Sequence, residues 1–209
     1  MLKAAVLTAL FSQCAPDVSP ITLHALVGVE SSGKPYVVAN VSDKTSHYFD
    51  KKEDAINFVN GLKSNNKTYS AGLMQIYSKN FDAYKLTNET VFDHCTNIKV
   101  GADIFSQCYA RALKENPSDK QGALRKAASC YYSGSMTRGF KKESWDGKSY
   151  VQRIELKAEK NYSVPEIRVN SSNISPTPTE INQVNPDEKE AVLTQQKTNK
   201  HQWDVFGDY

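Results

Sequence analysis

The chain has 209 residues, 39% of them hydrophobic and 23% charged, which is enough for one full-sized core with length left over and typical of a globular protein. No apolar run approaches the roughly 20 residues that a membrane-spanning helix needs, so no transmembrane span is expected. The net charge of +3 divides unevenly, with 22 basic and 16 acidic groups in residues 1–160 and 4 and 7 in residues 161–209; the lysines are scattered rather than clustered, which argues for a solvated surface and against nucleic-acid binding.

Met1-Leu2-Lys3 leads into an apolar run over residues 4–11. This resembles a short signal peptide, but no small-x-small cleavage site follows, and a first helix over residues 2–12 is the preferred reading. Ser19-Pro20 has the form of a helix start, and Gly33 with Pro35 that of a stop. Between them, Ile21, Leu23, Ala25, Leu26, Val27 and Val29 wrap most of the circumference, the mark of a buried central helix over residues 20–31. Residues 36–41 are short and β-branched, a strand or an extended turn. A helix is expected over 51–62 with Asp50 as its cap, then a short one over 78–84, longer ones over 97–113 and 119–132, and a last one over about 149–160, with little other sheet.

From residue 161 the composition changes. Ser, Asn, Thr, Gln and Pro dominate, and large apolar residues are too few for a core. Residues 1–160 are therefore expected to form the folded domain and 161–209 a disordered tail. The tail closes on Trp203, Phe206 and Tyr209, aromatics that suit either folding back on the domain or docking to a partner protein.

Cys14, Cys95, Cys108 and Cys130 are even in number and contain no CxxC pair. Two disulfides in an oxidising compartment fit this pattern, as do four reduced core thiols, and three pairings are open. His94, Cys95, Cys108 and Cys130 lack the ligand spacing of a zinc site, so no metal is expected, nor any cofactor.

The residue with the clearest chemical promise is Glu30, at the C-terminal end of the buried helix and on the face of Leu23, Leu26 and Val27. Apolar surroundings and the negative end of the helix dipole both disfavour its ionised form, so it should hold its proton closer to neutral pH than a free Glu. A glycosidase needs such a group to protonate the departing sugar oxygen. Position alone favours a Glu fraying into solvent at a helix end.

Four blocks change that balance: Glu30-Ser31-Ser32-Gly33-Lys34-Pro35, Ser70-Ala71-Gly72-Leu73-Met74-Gln75-Ile76, Asn97-Ile98-Lys99-Val100-Gly101 and Cys130-Tyr131-Tyr132-Ser133-Gly134. In order and spacing they resemble the lytic transglycosylases of lysozyme-like fold, over approximately residues 5–155. Among these the chain looks most similar to the members attached to conjugation and type IV secretion machines, through Gln13-Cys14-Ala15-Pro16, Phe92-Asp93-His94-Cys95-Thr96-Asn97 and the closing Trp203-Asp204-Val205-Phe206. The resemblance implies a mainly α, lysozyme-like α+β fold acting on peptidoglycan glycan strands in the bacterial periplasm or envelope. It makes Glu30 the sole catalytic acid and base, with Ser31 hydrogen-bonding to orient it. Gly72, Met74 and Gln75 would line the glycan groove, and Tyr131 would reach toward Glu30. Asn97 reads as a helix cap. Tyr132 and Cys130 stand where the family pattern has Asn and Ala, which leaves substrate contacts from Tyr132 open.

One carboxylate suffices for a lytic transglycosylase, because the muramoyl C6 hydroxyl replaces water and a 1,6-anhydro sugar forms. A hydrolytic muramidase would need a second carboxylate, Asp43 or another from a loop. A non-cleaving assembly factor, binding glycan or secretion-system proteins through the tail, is the alternative outside enzymology.

Overall fold

In the computed structural model, which describes residues 1–162, the chain begins with helix α1 (Ala4–Cys14). It buries Leu7, Phe11 and Cys14 on one face, and the N–H of Leu2 donates to the Gly33 carbonyl at 2.8 Å. A helix thus covers this segment, starting and ending two residues beyond the expected bounds of 2–12. A disulfide from Cys14 to Cys95 fastens the end of α1 to a helix 81 residues further on.

Helix α2 (Pro20–Glu30) follows, started by the fixed φ of Pro20 and without a side-chain hydrogen bond from Ser19. Leu23 and Leu26 are fully enclosed and Val27 nearly so, each contributing about 2 kcal/mol of burial. The helix ends because Ser32 and Gly33 turn left-handed, at φ 54° and 74°.

The sheet is small, as expected, but it extends beyond the one stretch anticipated. Strands β1 (Val37–Asn40), β2 (Thr45–Tyr48), β3 (Tyr69–Ala71) and β4 (Ile76–Tyr77) form one antiparallel sheet in the order β2-β1-β3-β4. β1 lies within the expected extended stretch. The others are short, and β2 is largely exposed, so they carry no apolar alternation for the sequence to display. Helix α3 (Lys52–Ser64) fills the connection between β2 and β3, burying Ala55, Val59 and Leu62. It starts one residue later than expected, and Lys51 rather than Asp50 stands at its cap position.

A short helix α4 (Phe81–Tyr84) leads to α5 (His94–Glu115). Here Asp93 is the cap, accepting from the Thr96 N–H at 2.8 Å. The helix starts three residues before the expected one, and Asn97 lies inside its first turn. α6 (Lys120–Ser133) begins on the Asp119 cap and stops at Gly134, whose φ of 72° permits the left-handed turn. α5 packs on α6 and the two are joined by Cys108–Cys130; all four cysteines are thus in disulfides. The last helix, α7 (Tyr150–Tyr162), packs along α2 with Tyr150, Val151, Ile154 and Ala158 buried at helical spacing. No described helix is long and apolar enough to cross a membrane. Residues 163–209, with the expected tail and its closing aromatics, lie outside the described residues.

Candidate active site

Glu30 is the last residue of α2 and stands where two cavities meet. A groove of about 720 Å³ runs between the sheet and α6, lined by Ala39, Ser70, Gln75, Tyr131 and Tyr132 among others. A second cavity of about 520 Å³ opens toward α7 and shares Glu30 and Tyr132 with the groove. Glu30 contributes the one carboxylate to the lining of both.

Its carboxyl is held from one side. The Tyr150 hydroxyl donates a hydrogen bond to Glu30 Oε1, and no described residue hydrogen-bonds Oε2. Burial pushes the Glu30 pKa from 4.5 up to about 7, against the opposing pull of the Tyr150 hydrogen bond and the nearby Arg153 guanidinium. Desolvation thus outweighs both neighbours. The result is a carboxyl that is half protonated near neutrality, with one oxygen anchored and the other available.

Tyr150 was not singled out from the sequence. It is separated from Glu30 by 120 residues, and in the chain it reads as one apolar position of a helix start. The only signal is that a deeply buried Tyr needs a partner for its hydroxyl, where a Phe would not. Burial and the Glu30 charge together push the Tyr150 pKa well up, so it remains a hydrogen-bond donor.

The expected site residues fall into two groups. Gln75 and Tyr131 do line the groove. Gln75 sits at φ 47° and its side-chain amide donates to the carbonyls of Val37 and Gly72, at 3.0 and 2.9 Å, pinning the turn between β3 and β4. Tyr131 lies close enough to Glu30 for the two charges to interact, but its hydroxyl donates to the Met74 carbonyl at 2.6 Å. Tyr150, from α7, supplies the orienting hydrogen bond that was expected of Ser31.

Ser31, Gly72 and Met74 serve the site from behind. Ser31 Oγ donates to the Val27 carbonyl and accepts from the Gly33 N–H, both at 3.2 Å. It fixes the helix end that carries Glu30, and no hydrogen bond joins it to the carboxyl. Met74 is fully buried and packs against α5, where a side chain at Gly101 would meet its sulfur at 2.6 Å; it does not face the groove. Gly72, at φ 86°, is required by its neighbour: a Cβ there would stand 2.2 Å from the Asn97 amide nitrogen.

Asn97 therefore has a different role from the cap expected of it. Its Nδ2 donates to the carbonyls of Ala71 and Val91 at 3.1 and 2.8 Å, and its Oδ1 accepts from the Met74 N–H at 2.8 Å. A buried amide thus satisfies two backbone groups of the turn between β3 and β4 and ties that turn to the Val91 carbonyl just before α5.

Tyr132 stacks on Tyr150, with ring centres 4.6 Å apart and planes 14° from parallel. Its hydroxyl donates to Glu143 Oε1 at 2.6 Å. Glu143 also accepts from Trp145 Nε1 and Arg153, each at 2.7 Å. Burial would raise the Glu143 pKa, but these three hydrogen bonds prevail and hold it below the usual carboxylate range. Asp43, the other carboxylate considered from the sequence, lies outside both cavity linings. Lys67 at 2.5 Å and Asn40 at 2.8 Å occupy it and hold its pKa low.

Comparison with known proteins agrees with this geometry. The transglycosylase SLT domain family matches residues 9–152. The type IV secretion system protein virB1 of Brucella abortus is 38% identical over 150 residues, covering 72% of this chain and 63% of its own length. The protein virB1 of Agrobacterium fabrum is 32% identical over 148 residues, covering 70% of this chain and 57% of its own, and that of Agrobacterium tumefaciens is 30% identical over 198 residues, covering 94% and 70%. The chain thus spans about 63% of the length of the Brucella relatives. No solved structure matches significantly. With seven α-helices and a small sheet among the described residues and Glu30 at the end of a buried helix, the chain has the expected mainly α, lysozyme-like fold, and it belongs to the transglycosylase SLT domain family.

Proposed function

We propose that this protein is a peptidoglycan lytic transglycosylase that cleaves the β-1,4 bond between N-acetylmuramic acid and N-acetylglucosamine. The observation that carries the reading is the carboxyl at the junction of two cavities, with its pKa raised to about 7 and no described residue hydrogen-bonding its Oε2. Protonated Glu30 gives its proton to the glycosidic oxygen as the bond to the muramoyl C1 breaks. The resulting carboxylate then takes the proton of the muramoyl C6 hydroxyl as that oxygen bonds to C1, which closes the 1,6-anhydro ring and restores the acid. No water enters. Tyr150 holds one oxygen in place through both steps, and a pKa near 7 lets one group act as acid and then as base.

The hydrolytic alternative needs a second carboxylate across the sugar. Neither cavity lining offers one, Asp43 is tied to Lys67, and Glu143 is saturated by three donors. Mass spectrometry of peptidoglycan digested by the full chain tests this directly. Anhydro-muramoyl ends support the reading; reducing ends one water heavier overturn it.

The likeness to virB1 proteins supports a role in opening the cell wall for a type IV secretion or conjugation apparatus, in the bacterial envelope and on its periplasmic face. The two disulfides suit that oxidising compartment. We assign residues 1–160 to cleavage and residues 161–209 to a tail that docks secretion-system proteins through Trp203, Phe206 and Tyr209. Deleting residues 196–209 then leaves glycan cleavage intact and weakens partner binding; equal loss of both refutes the division.

A further inference from the structure

The cavity on the α7 side of Glu30 has a wall that the cleavage chemistry does not use. Trp145 sits in a tight loop closed by the pairing of Lys142 with Ser149 and by the Glu143 N–H donating to the Lys148 carbonyl at 3.0 Å. Its indole N–H is fixed on Glu143, and the Arg153 guanidinium lies 4.8 Å from its ring centre. Arg153 is in turn held by Glu143 at 2.7 Å and Asp146 at 3.3 Å. Despite these restraints Trp145 is 71% exposed. A large aromatic that is immobilised and yet left in water has an orientation set for something other than core packing.

The exposure is also concentrated. Of the eight large hydrophobic residues most exposed among those described, Tyr132, Trp145 and Leu156 line this one cavity. The cavity continues into the glycan groove through Glu30 and Tyr132, so a polymer held in the groove extends toward it. A pyranose ring has the matching chemistry: its C–H face is apolar and stacks on an indole, while its hydroxyl rim suits the polar groups around the edge.

We propose that this second cavity is a saccharide subsite, in which Trp145 stacks against a pyranose ring of the same glycan strand that Glu30 cleaves. The inference rests on the reading of Glu30 as the acid of a glycan-cleaving enzyme. Glu143 and Arg153 are then positioning residues, holding the platform at a fixed angle to the catalytic carboxyl.

The test uses the full chain and solubilised peptidoglycan glycan strands. Trp145→Ala is expected to raise KM about three- to tenfold, the range of an aromatic contact, while kcat changes by less than about twofold, since uniform binding is lost and transition-state binding is not. Trp145→Phe, which keeps a stacking face, restores most of the KM. In a Glu30→Gln background the strands shift tryptophan emission. That shift survives Trp203→Phe and disappears in Trp145→Phe. An unchanged KM in Trp145→Ala, or an emission shift that follows Trp203, overturns the subsite while leaving cleavage by Glu30 standing. A wild-type chain that neither binds nor cleaves the strands overturns the proposed function, and the subsite with it.

Discussion

Replacing Glu30 by Gln should abolish cleavage and at the same time stabilise the protein, by an amount that depends on pH in a defined way. The folded-state pKa is about 7 against 4.5 for the free group, because burial disfavours the carboxylate. Below pH 4.5 Glu30 is protonated in both folded and unfolded chains, and ionisation costs the fold nothing. Between 4.5 and 7 the unfolded chain releases the proton that the folded chain retains, so stability falls as pH rises. Above 7 the folded protein carries a buried carboxylate at a cost that no longer changes. At 1.36 kcal/mol per pKa unit the full cost is about 3 kcal/mol. Gln has nearly the same shape, can accept from Tyr150 through its amide oxygen, and does not ionise. The stability difference between Gln variant and wild type should therefore rise from pH 4.5 to 7 and then level off. At roughly 2–4 °C per kcal/mol for a chain of this size, the variant melts about 6–12 °C higher at pH 8 than wild type. Thermal or urea unfolding of both proteins across pH 4–9 measures this, while glycan cleavage falls by roughly 100- to 10,000-fold in parallel. A stability difference that is the same at pH 4.5 and pH 8 would refute the raised pKa. Retained cleavage would refute the role of Glu30.

Tyr150→Phe removes a hydrogen bond that lowers the Glu30 pKa, so the alkaline limb of the pH profile of kcat/KM should move upward; an unmoved limb would show that the contact does not act on the acid. Asn97→Ala leaves the Met74 N–H and the Ala71 and Val91 carbonyls without their partner, with an expected loss of about 3 kcal/mol in denaturant unfolding. Gly72→Ala drives a methyl into that same amide, so it should destabilise as well, and the Gly72→Ala/Asn97→Ala pair should lose less than the sum of the two single losses. Of the disulfides, Cys14–Cys95 closes 81 residues and Cys108–Cys130 closes 22. The chain-entropy relation gives about 4.5 and about 3.4 kcal/mol respectively, so Cys14→Ala/Cys95→Ala should unfold at lower denaturant than Cys108→Ala/Cys130→Ala.

The helices were legible because periodicity and caps are local. Pro20, Gly33 and Gly134 act on the residues beside them, and the helix ends fall within a few positions of the expected ones. The sheet was not legible because its strands are held by pairing rather than by burial pattern. β4 has two residues, and β2 offers Thr45, Ser46, His47 and Tyr48, mostly exposed. Nothing local distinguishes such a stretch from a polar loop until β1 is beside it. The start of α5 was missed for a related reason: Asn97 has the composition of a cap, but Asp93 takes that position and frees the Asn97 amide for the turn at residues 71–74.

The same distinction separates the parts of the site that could be read from those that could not. Glu30 was accessible because burial and helix end are properties of its own segment. From the motif blocks Ser31 was expected to orient Glu30, and Gly72 and Met74 to line the groove; in the structure Ser31 closes a helix, Gly72 makes room for Asn97, and Met74 fills the gap at Gly101. A motif records which residues must be kept together and is silent on whether they touch the ligand or each other. Tyr150, which does touch the carboxyl, comes from α7 across the α2 interface. The acidity of Glu30 is thus a tertiary property. α2 places the carboxyl, burial in the folded domain raises its pKa, α7 brings the Tyr150 hydroxyl and the Arg153 guanidinium that oppose the rise, and the Asn97 and Tyr131 hydrogen bonds fix the turn beside the groove. Admitting water to the carboxyl while those contacts remain would remove the one influence that raises its pKa, and with it the fraction of the protein able to donate a proton at neutral pH.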